Sequence, residues 1–308
     1  MKIMMDLAGP KIRTGTVLTP DHEERMGVGD PLVITPPGGL DRVERGEVRF
    51  AAECTLPEAV SRAAVGQRLF VDDGKLGARI ERIEPWGLVA RAFIVSGKGL
   101  RLKSEEGLNF PDTDLGIFPL TGKDYADLNF AAAHADGVGF SFVQSASDVS
   151  MLQEALRERR PNDWRSLSLV LKIETPKAVS NLPEIIVQAA GQQPTAVMIA
   201  RGDLAVEMGF ARLAEMQEEI LWIGEAAHVP VIWATQVLEH LIKTGTPSRG
   251  EVTDAAMAAR AECVMLNKGP YLFEAIAELD ILLARMEAHQ HKKTPKLRAL
   301  EAGEAVMA

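Results

Sequence analysis

From about residue 130 onward the apolar residues fall in short runs separated by polar loops. The runs are Gly137-Val138-Gly139-Phe140, Leu169-Val170-Leu171, Ala196-Val197-Met198-Ile199, Val229-Pro230-Val231-Ile232 and Cys263-Val264-Met265-Leu266. They recur roughly every 30 residues, the length of a βα unit. Between them, Val149–Arg159, Leu213–Ala227 and Tyr271–His289 carry a helical period. No hairpin signal joins successive runs, so the pattern predicts parallel strands covered on both faces. Lys2–Met5 adds one more run at the start. Such a series predicts a (β/α) barrel of TIM type, whose chemistry sits at the C-terminal strand ends.

Residues 14–107 have another texture. Short β-type runs (Pro31–Ile34, Leu69–Val71, Leu88–Ala90) are broken by Gly and Pro, and no long helix interrupts them. Gly29-Asp30, Asp73-Gly74 and Ser96-Gly97 read as turns. The expected organisation is an α/β chain: a barrel from 1–13 and 108–291, an inserted β-rich domain over 14–107, and a basic tail over 292–308. Only six strand runs lie outside the insert, where a closed barrel has eight, so the barrel is expected to be incomplete.

Composition narrows the class. Hydrophobic residues make up 46% and charged residues 25%, which excludes wholesale disorder. The formal charge of −9 argues against nucleic acid as a partner. Two cysteines, Cys54 and Cys263, cannot build a disulfide framework, and no signal peptide or membrane span is recognisable. A cytoplasmic enzyme is the expectation.

Polar residues gather where the strands end. Lys172 and Glu174 straddle Ile173, Arg201-Gly202-Asp203 follows the next run, and Thr235-Gln236 the one after. Arriving at the same end of successive parallel strands, they converge on one mouth. Glu174 and Asp203 offer two hard oxygen donors of the kind Mg²⁺ or Mn²⁺ accepts beside water and substrate. Lys172 supplies a cation for an oxyanion or a transferring phosphoryl group. Gly202 lets a ligand approach the backbone, the N–H groups of the following helix can hold a carboxylate, and Thr235 adds a hydroxyl. This combination suits a small carboxylate whose enolate is stabilised by a metal and a lysine.

The same residues carry a resemblance. Met198–Glu207 (MIARGDLAVE), Leu171–Glu174 (LKIE), Ala234–Glu239 (ATQVLE) and Thr246–Asp254 (TPSRGEVTD) closely resemble signatures of the pyruvate kinase family. Asp6–Gly15 resembles the strand leading into that family's mobile lid. Val71–Gly74 and Glu106–Pro111 resemble landmarks within the lid and at its exit. The resemblance implies phosphoryl transfer between phosphoenolpyruvate and ADP, giving pyruvate and ATP in glycolysis. It further implies Glu174 and Asp203 as divalent-metal ligands, and Lys172 against the phosphoryl group and enolate. Ala200, Arg201, Gly202 and Asp203 would form the substrate carboxylate pocket through their backbone. Thr235 would lie near the methylene carbon, Arg13 near the nucleotide phosphates, and Asp6 at the monovalent cation. Lys11 stands where potassium-dependent members often carry Glu, which implies that K⁺ is not required.

Several features depart from the family pattern. The first two barrel strands, with their phosphate-binding arginine, and the C-terminal regulatory domain have no counterpart. Met265–Tyr271 diverges, and Glu105-Glu106 replaces a basic pair, with Lys103 as a possible substitute. Weak turnover and self-association through open strand edges are therefore expected. Two other readings use the same residues: a Mg²⁺-dependent pyruvate-enolate aldolase or lyase, and a non-catalytic remnant. Outside the site, Asp72-Asp73 reads as a turn, and His228 and His240 as structural. Cys263 reads as a small core residue of a buried strand, Trp233 as packing in or behind the barrel, and His289 and His291 as a solvated terminus.

Overall fold

The computed structural model describes residues 2–20, 24–43 and 48–290, the side chains of 288–290 excepted. The expected tail over 292–308, His291 and the His289 side chain lie outside the described residues. The chain divides into two compact units, one drawn from Met1–Gly9 and the chain from Pro119 onward, the other Pro10–Phe118.

The first unit opens with β1 (Met4–Leu7). The second contains β2 (Thr14–Leu18), β3 (Pro31–Thr35), β4 (Phe50–Cys54), a short helix α1 (Pro57–Arg62), β5 (Arg68–Val71), β6 (Leu76–Glu84), β7 (Gly87–Val95) and β8 (Leu108–Asn109). They form one sheet in the order β2-β4-β3-β7-β6-β5-β8. Only β3 and β4 pair in parallel. Alternation along the strands buries Leu32, Ile34, Phe50, Leu69, Leu76, Ile80 and Leu88 in a common core. Asp72, Asp73 and Gly74 turn β5 into β6 in the left-handed region, with φ of 52°, 50° and 83°. Residues 10–13 and 108–118, grouped with the barrel by the sequence reading, fall in this unit for a physical reason. Leu108-Asn109 pairs with β5, and Ile12 and Phe110 pack into the β-rich core.

The first unit resumes with α2 (Gly122–His134), β9 (Gly137–Phe140), α3 (Ala146–Arg159), β10 (Ser168–Ile173), α4 (Pro176–Ser180), α5 (Leu182–Ala190), β11 (Thr195–Ala200), α6 (Arg201–Met208) and α7 (Phe210–Ala226). It continues through β12 (Val231–Ala234), α8 (Glu239–Thr244), α9 (Arg249–Met257), β13 (Cys263–Val264) and α10 (Leu272–Gln290). The strands form a parallel six-stranded sheet in the order β1-β9-β10-β11-β12-β13. Among the described residues this is an incomplete TIM-type barrel whose sheet ends at β1 and β13, as the run count predicts.

Two faces follow from the period of two. Leu169, Leu171, Ile173, Val197, Ile199, Val231 and Trp233 pack with the helices in the main core. Val170, Met198 and Ala234 form a small cluster on the opposite face. Thus Lys172, two residues on from Val170, and Glu174 just past the strand share that opposite face. One expectation fails here. Cys263 is exposed, because β13 is a two-residue edge strand with no neighbour beyond it among the described residues.

Capping boxes start α2, α3 and α9, with Thr121/Asp124, Ser145/Asp148 and Ser248/Glu251 respectively. Each satisfies backbone donors that the first helical turn leaves without partners.

Candidate active site

Lys172 lies at the centre of the first cluster. Its Nζ donates to Ser141 Oγ at 2.8 Å and sits 3.2 Å from Asp6 Oδ2 and 3.5 Å from Glu174 Oε1. The register explains the convergence: Asp6 pairs with Gly139 on β9, and β9 lies between β1 and β10. Burial is the largest single influence on the Lys172 ammonium and works to lower its pKa. The charges of Glu174 and Asp6, with hydrogen bonds to both, together outweigh it and leave the pKa raised. Lys172 is therefore a fixed cation at neutral pH and not a base.

Glu174 is a buried carboxylate, 3% exposed, tied down on one side. Its Oε2 accepts the Phe142 backbone N–H at 2.6 Å. Phe142 holds that N–H in place from a left-handed conformation, with φ 55°. The other oxygen faces Lys172.

The second cluster spans the ends of β11 and β12, which pair directly, Ala200 with Ala234. Ala200 is the residue before α6, and Gly202 and Asp203 belong to the helix's first turn. Gly202 donates its N–H to Thr235 Oγ1 at 2.9 Å. Arg201, 8% exposed, turns its guanidinium onto the backbone after β12: Nε donates to Ala234 O at 2.8 Å and Nη2 to Thr235 O at 2.5 Å. Nη1 pairs with Asp254, and the guanidinium lies 4.8 Å over the Trp233 ring. After β12 the backbone enters the left-handed region at Thr235, Gln236 and Leu238, with φ of 63°, 57° and 48°. Such residues cost about 1–3 kcal/mol each and persist only where their surroundings hold them.

Glu174 and Asp203 follow neighbouring strands, since Ile173 of β10 pairs with Ile199 of β11. No group of three or more His, Cys, Asp or Glu gathers as a metal cage among the described residues. The donor set suits Mg²⁺ in kind, because that ion takes one or two carboxylates and fills its remaining positions with water and substrate oxygens.

The structure thus gathers Asp6, Lys172 and Glu174 in one cluster, and Arg201, Gly202 and Thr235 in another at the ends of the neighbouring strands β11 and β12. Lys11 and Arg13 belong to the β-rich unit. There Arg13 Nη1 donates to Glu105 O at 2.6 Å, and its backbone N–H donates to Thr55 Oγ1 at 2.9 Å. Sequence reasoning missed Ser141, Gly139 and Asp254. Ser141 directly follows β9, so the strand-end rule used for Lys172 could have found it. Asp254 closes a segment already singled out, but nothing local pairs it with Arg201.

Among the described residues no helix is long and apolar enough to cross a membrane. A family model described as pyruvate kinase, barrel domain, matches residues 1–276. The pyruvate kinase of Agrobacterium vitis is 32% identical over 97% of this chain and 58% of its own length. That of Methylorubrum extorquens is 33% identical over 92% and 56%. Pyruvate kinase PKLR of Rattus norvegicus is 31% identical over 93% and 48%. The chain spans about half the length of the curated relatives it matches. Motifs, strand order and these matches agree, and the chain belongs to the pyruvate kinase family.

Proposed function

We propose that this chain carries out pyruvate kinase-type phosphoryl transfer between phosphoenolpyruvate and ADP. The observation that carries the reading is the Lys172 ammonium, held between Ser141, Asp6 and Glu174 at the strand ends. In this reading Glu174 and Asp203 hold Mg²⁺ or Mn²⁺, which when bound supplies charge to neutralise phosphoryl and enolate oxygens. The backbone of Ala200, Arg201, Gly202 and Asp203 binds the substrate carboxylate at the start of α6. Lys172 stabilises the phosphoryl group in transfer and the enolate oxygen left behind. Thr235 stands at the methylene carbon, where a proton is delivered to form pyruvate. Arg13 serves the nucleotide phosphates. Lys11 supplies the positive charge that a K⁺ ion would otherwise bring, since an ammonium on a flexible stem is a compact point charge. Asp6 then serves Lys172 in place of a monovalent cation.

Calorimetric titration with ADP, phosphoenolpyruvate and pyruvate in Mg²⁺ buffer tests the reading. Binding of both nucleotide and enolate ligands is expected. Binding of pyruvate and phosphoenolpyruvate without ADP would point to lyase chemistry, and binding of none would reject an active site. Repeating the phosphoenolpyruvate titration in tetramethylammonium buffer, with and without KCl at constant ionic strength, tests Lys11. K⁺ dependence is expected only in Lys11→Glu, and dependence in the native chain would reject that role.

A further inference from the structure

We propose that Arg201 is a positioning residue that acts through Thr235: its guanidinium locks the strained turn after β12 so that the Thr235 hydroxyl points at the start of α6. The inference rests on the placement of Thr235 at the substrate's methylene carbon. Four observations carry it. The guanidinium donates to two successive carbonyls, Ala234 O and Thr235 O, which bracket the residue whose hydroxyl matters. Thr235 is β-branched and yet left-handed, a conformation such residues rarely adopt without external support. The guanidinium is itself fixed by the Asp254 carboxylate and by the Trp233 ring beneath it. Finally, Thr235 Oγ1 accepts the N–H of Gly202, the residue next to Arg201 in sequence. The two strand ends are therefore tied twice, once by the side chain of Arg201 and once by the backbone of Gly202.

This arrangement has a chemical consequence. A guanidinium has five N–H donors in a rigid fork, and here the fork is turned onto the protein's own backbone. It is 8% exposed and offers little to a ligand. A lysine would keep the charge opposite Asp254 but could not bridge two carbonyls and stack on an indole together. Arg201 thus governs where the Thr235 hydroxyl stands, not how much positive charge the site holds.

Two readouts test this. The first is hydrogen exchange at the Gly202 amide, which reports the bond to Thr235 Oγ1 without any ligand. Arg201→Lys should raise that exchange by at least about tenfold, the signature of local opening. Unchanged exchange would overturn the proposal. The second is the rate at which the native chain with Mg²⁺ exchanges the methyl protons of pyruvate for solvent deuterium, followed by proton NMR. In that exchange a C3 proton passes to solvent, the C–H electron pair forms the C2=C3 bond while the carbonyl π pair moves onto oxygen, and the enolate then takes a solvent deuteron at C3 as the C=O bond re-forms. Arg201→Lys and Thr235→Ala should each slow it about tenfold or more at saturating pyruvate, the pattern of lost transition-state positioning. The double variant should be no slower than Thr235→Ala alone. Rates that multiply in the double variant would show Arg201 acting by another route and overturn the proposal. A native chain that exchanges no methyl protons would count against the functional reading instead, and the Gly202 amide alone would then decide on Arg201. Should Arg201→Lys fail to fold, Asp254→Asn, which keeps the fork but removes its ionic anchor, decides by the same readouts and in the same directions.

Discussion

Asp6 stands directly over Gly139: a Cβ placed on Gly139 would lie 2.0 Å from Asp6 Oδ1. The glycine is the seat on which this carboxylate rests beside Lys172. Gly139→Ala must push the Asp6 carboxylate aside, and because that side chain is half-exposed it can swing out, away from Lys172, at little cost to folding. Pyruvate affinity in Mg²⁺ buffer should fall several-fold as Lys172 loses one of its carboxylates. An unchanged pyruvate affinity would mean that Asp6 does not occupy this seat.

Metal binding should depend on Glu174 and Asp203 together. Loss even of outer-shell partners commonly weakens metal sites about 10–100-fold, so loss of a direct ligand should weaken them at least as much. Titration of Mn²⁺ followed by water-proton relaxation reads the bound ion without any turnover. Glu174→Gln and Asp203→Asn should each lose most of the signal. Native-like titrations in both variants would reject the assignment.

How much of this was legible in the sequence depends on the range of the interaction. Strand runs and helical periods are local, and β9, β10 and β11 fall where the apolar runs predict them. The polar residues of the mouth were legible too, because strand ends fix where Lys172, Glu174 and Thr235 emerge. What a side chain does after emerging was less so. In sequence Arg201 reads only as a polar residue of the mouth that serves through its backbone; its side chain is spent on Ala234, Thr235 and Asp254, contacts 33, 34 and 53 residues away. Cys263 reads as core because its run is apolar. Only the sheet order reveals that β13 is an edge.

The two cysteines should behave oppositely. Burial pushes the Cys54 thiol from an ordinary value near 9.0 up to about 11, although a hydrogen bond with the Leu56 backbone works the other way. The folded pKa is raised, so the stabilising contribution is complete below pH 9 and is lost as pH rises from about 9 to about 11. A shift of that size corresponds to roughly 2–3 kcal/mol. Unfolding free energies across this window should fall more steeply for the native chain than for Cys54→Ala. Parallel curves would reject the buried thiol as the cause. Under native conditions iodoacetamide should label exposed Cys263 and leave Cys54 until the chain unfolds.

Asp124 is fully buried, and its two oxygens serve two different segments. Oδ1 accepts the N–H of Gly9 at 3.1 Å, and Oδ2 accepts the N–H and the hydroxyl of Thr121 at 2.8 and 2.6 Å. One carboxylate therefore caps α2 and also ties down the chain two residues past β1. Gly9 is buried and left-handed at φ 66°, and a Cβ there would meet Ser141 and Phe142 at 3.1 Å. Loss of a cap costs typically about 1 kcal/mol. A buried donor left without a partner adds about 1–3 kcal/mol. Asp124→Ala should accordingly lower the unfolding free energy by about 2–4 kcal/mol. Asp124→Asn, which keeps one acceptor oxygen and can turn it to only one of the two segments, should lose less. Equal losses in the two variants would show that the charge of Asp124, and not its double acceptance, holds these segments together. A loss below about 1 kcal/mol in Asp124→Ala would mean that the helix cap alone is at stake.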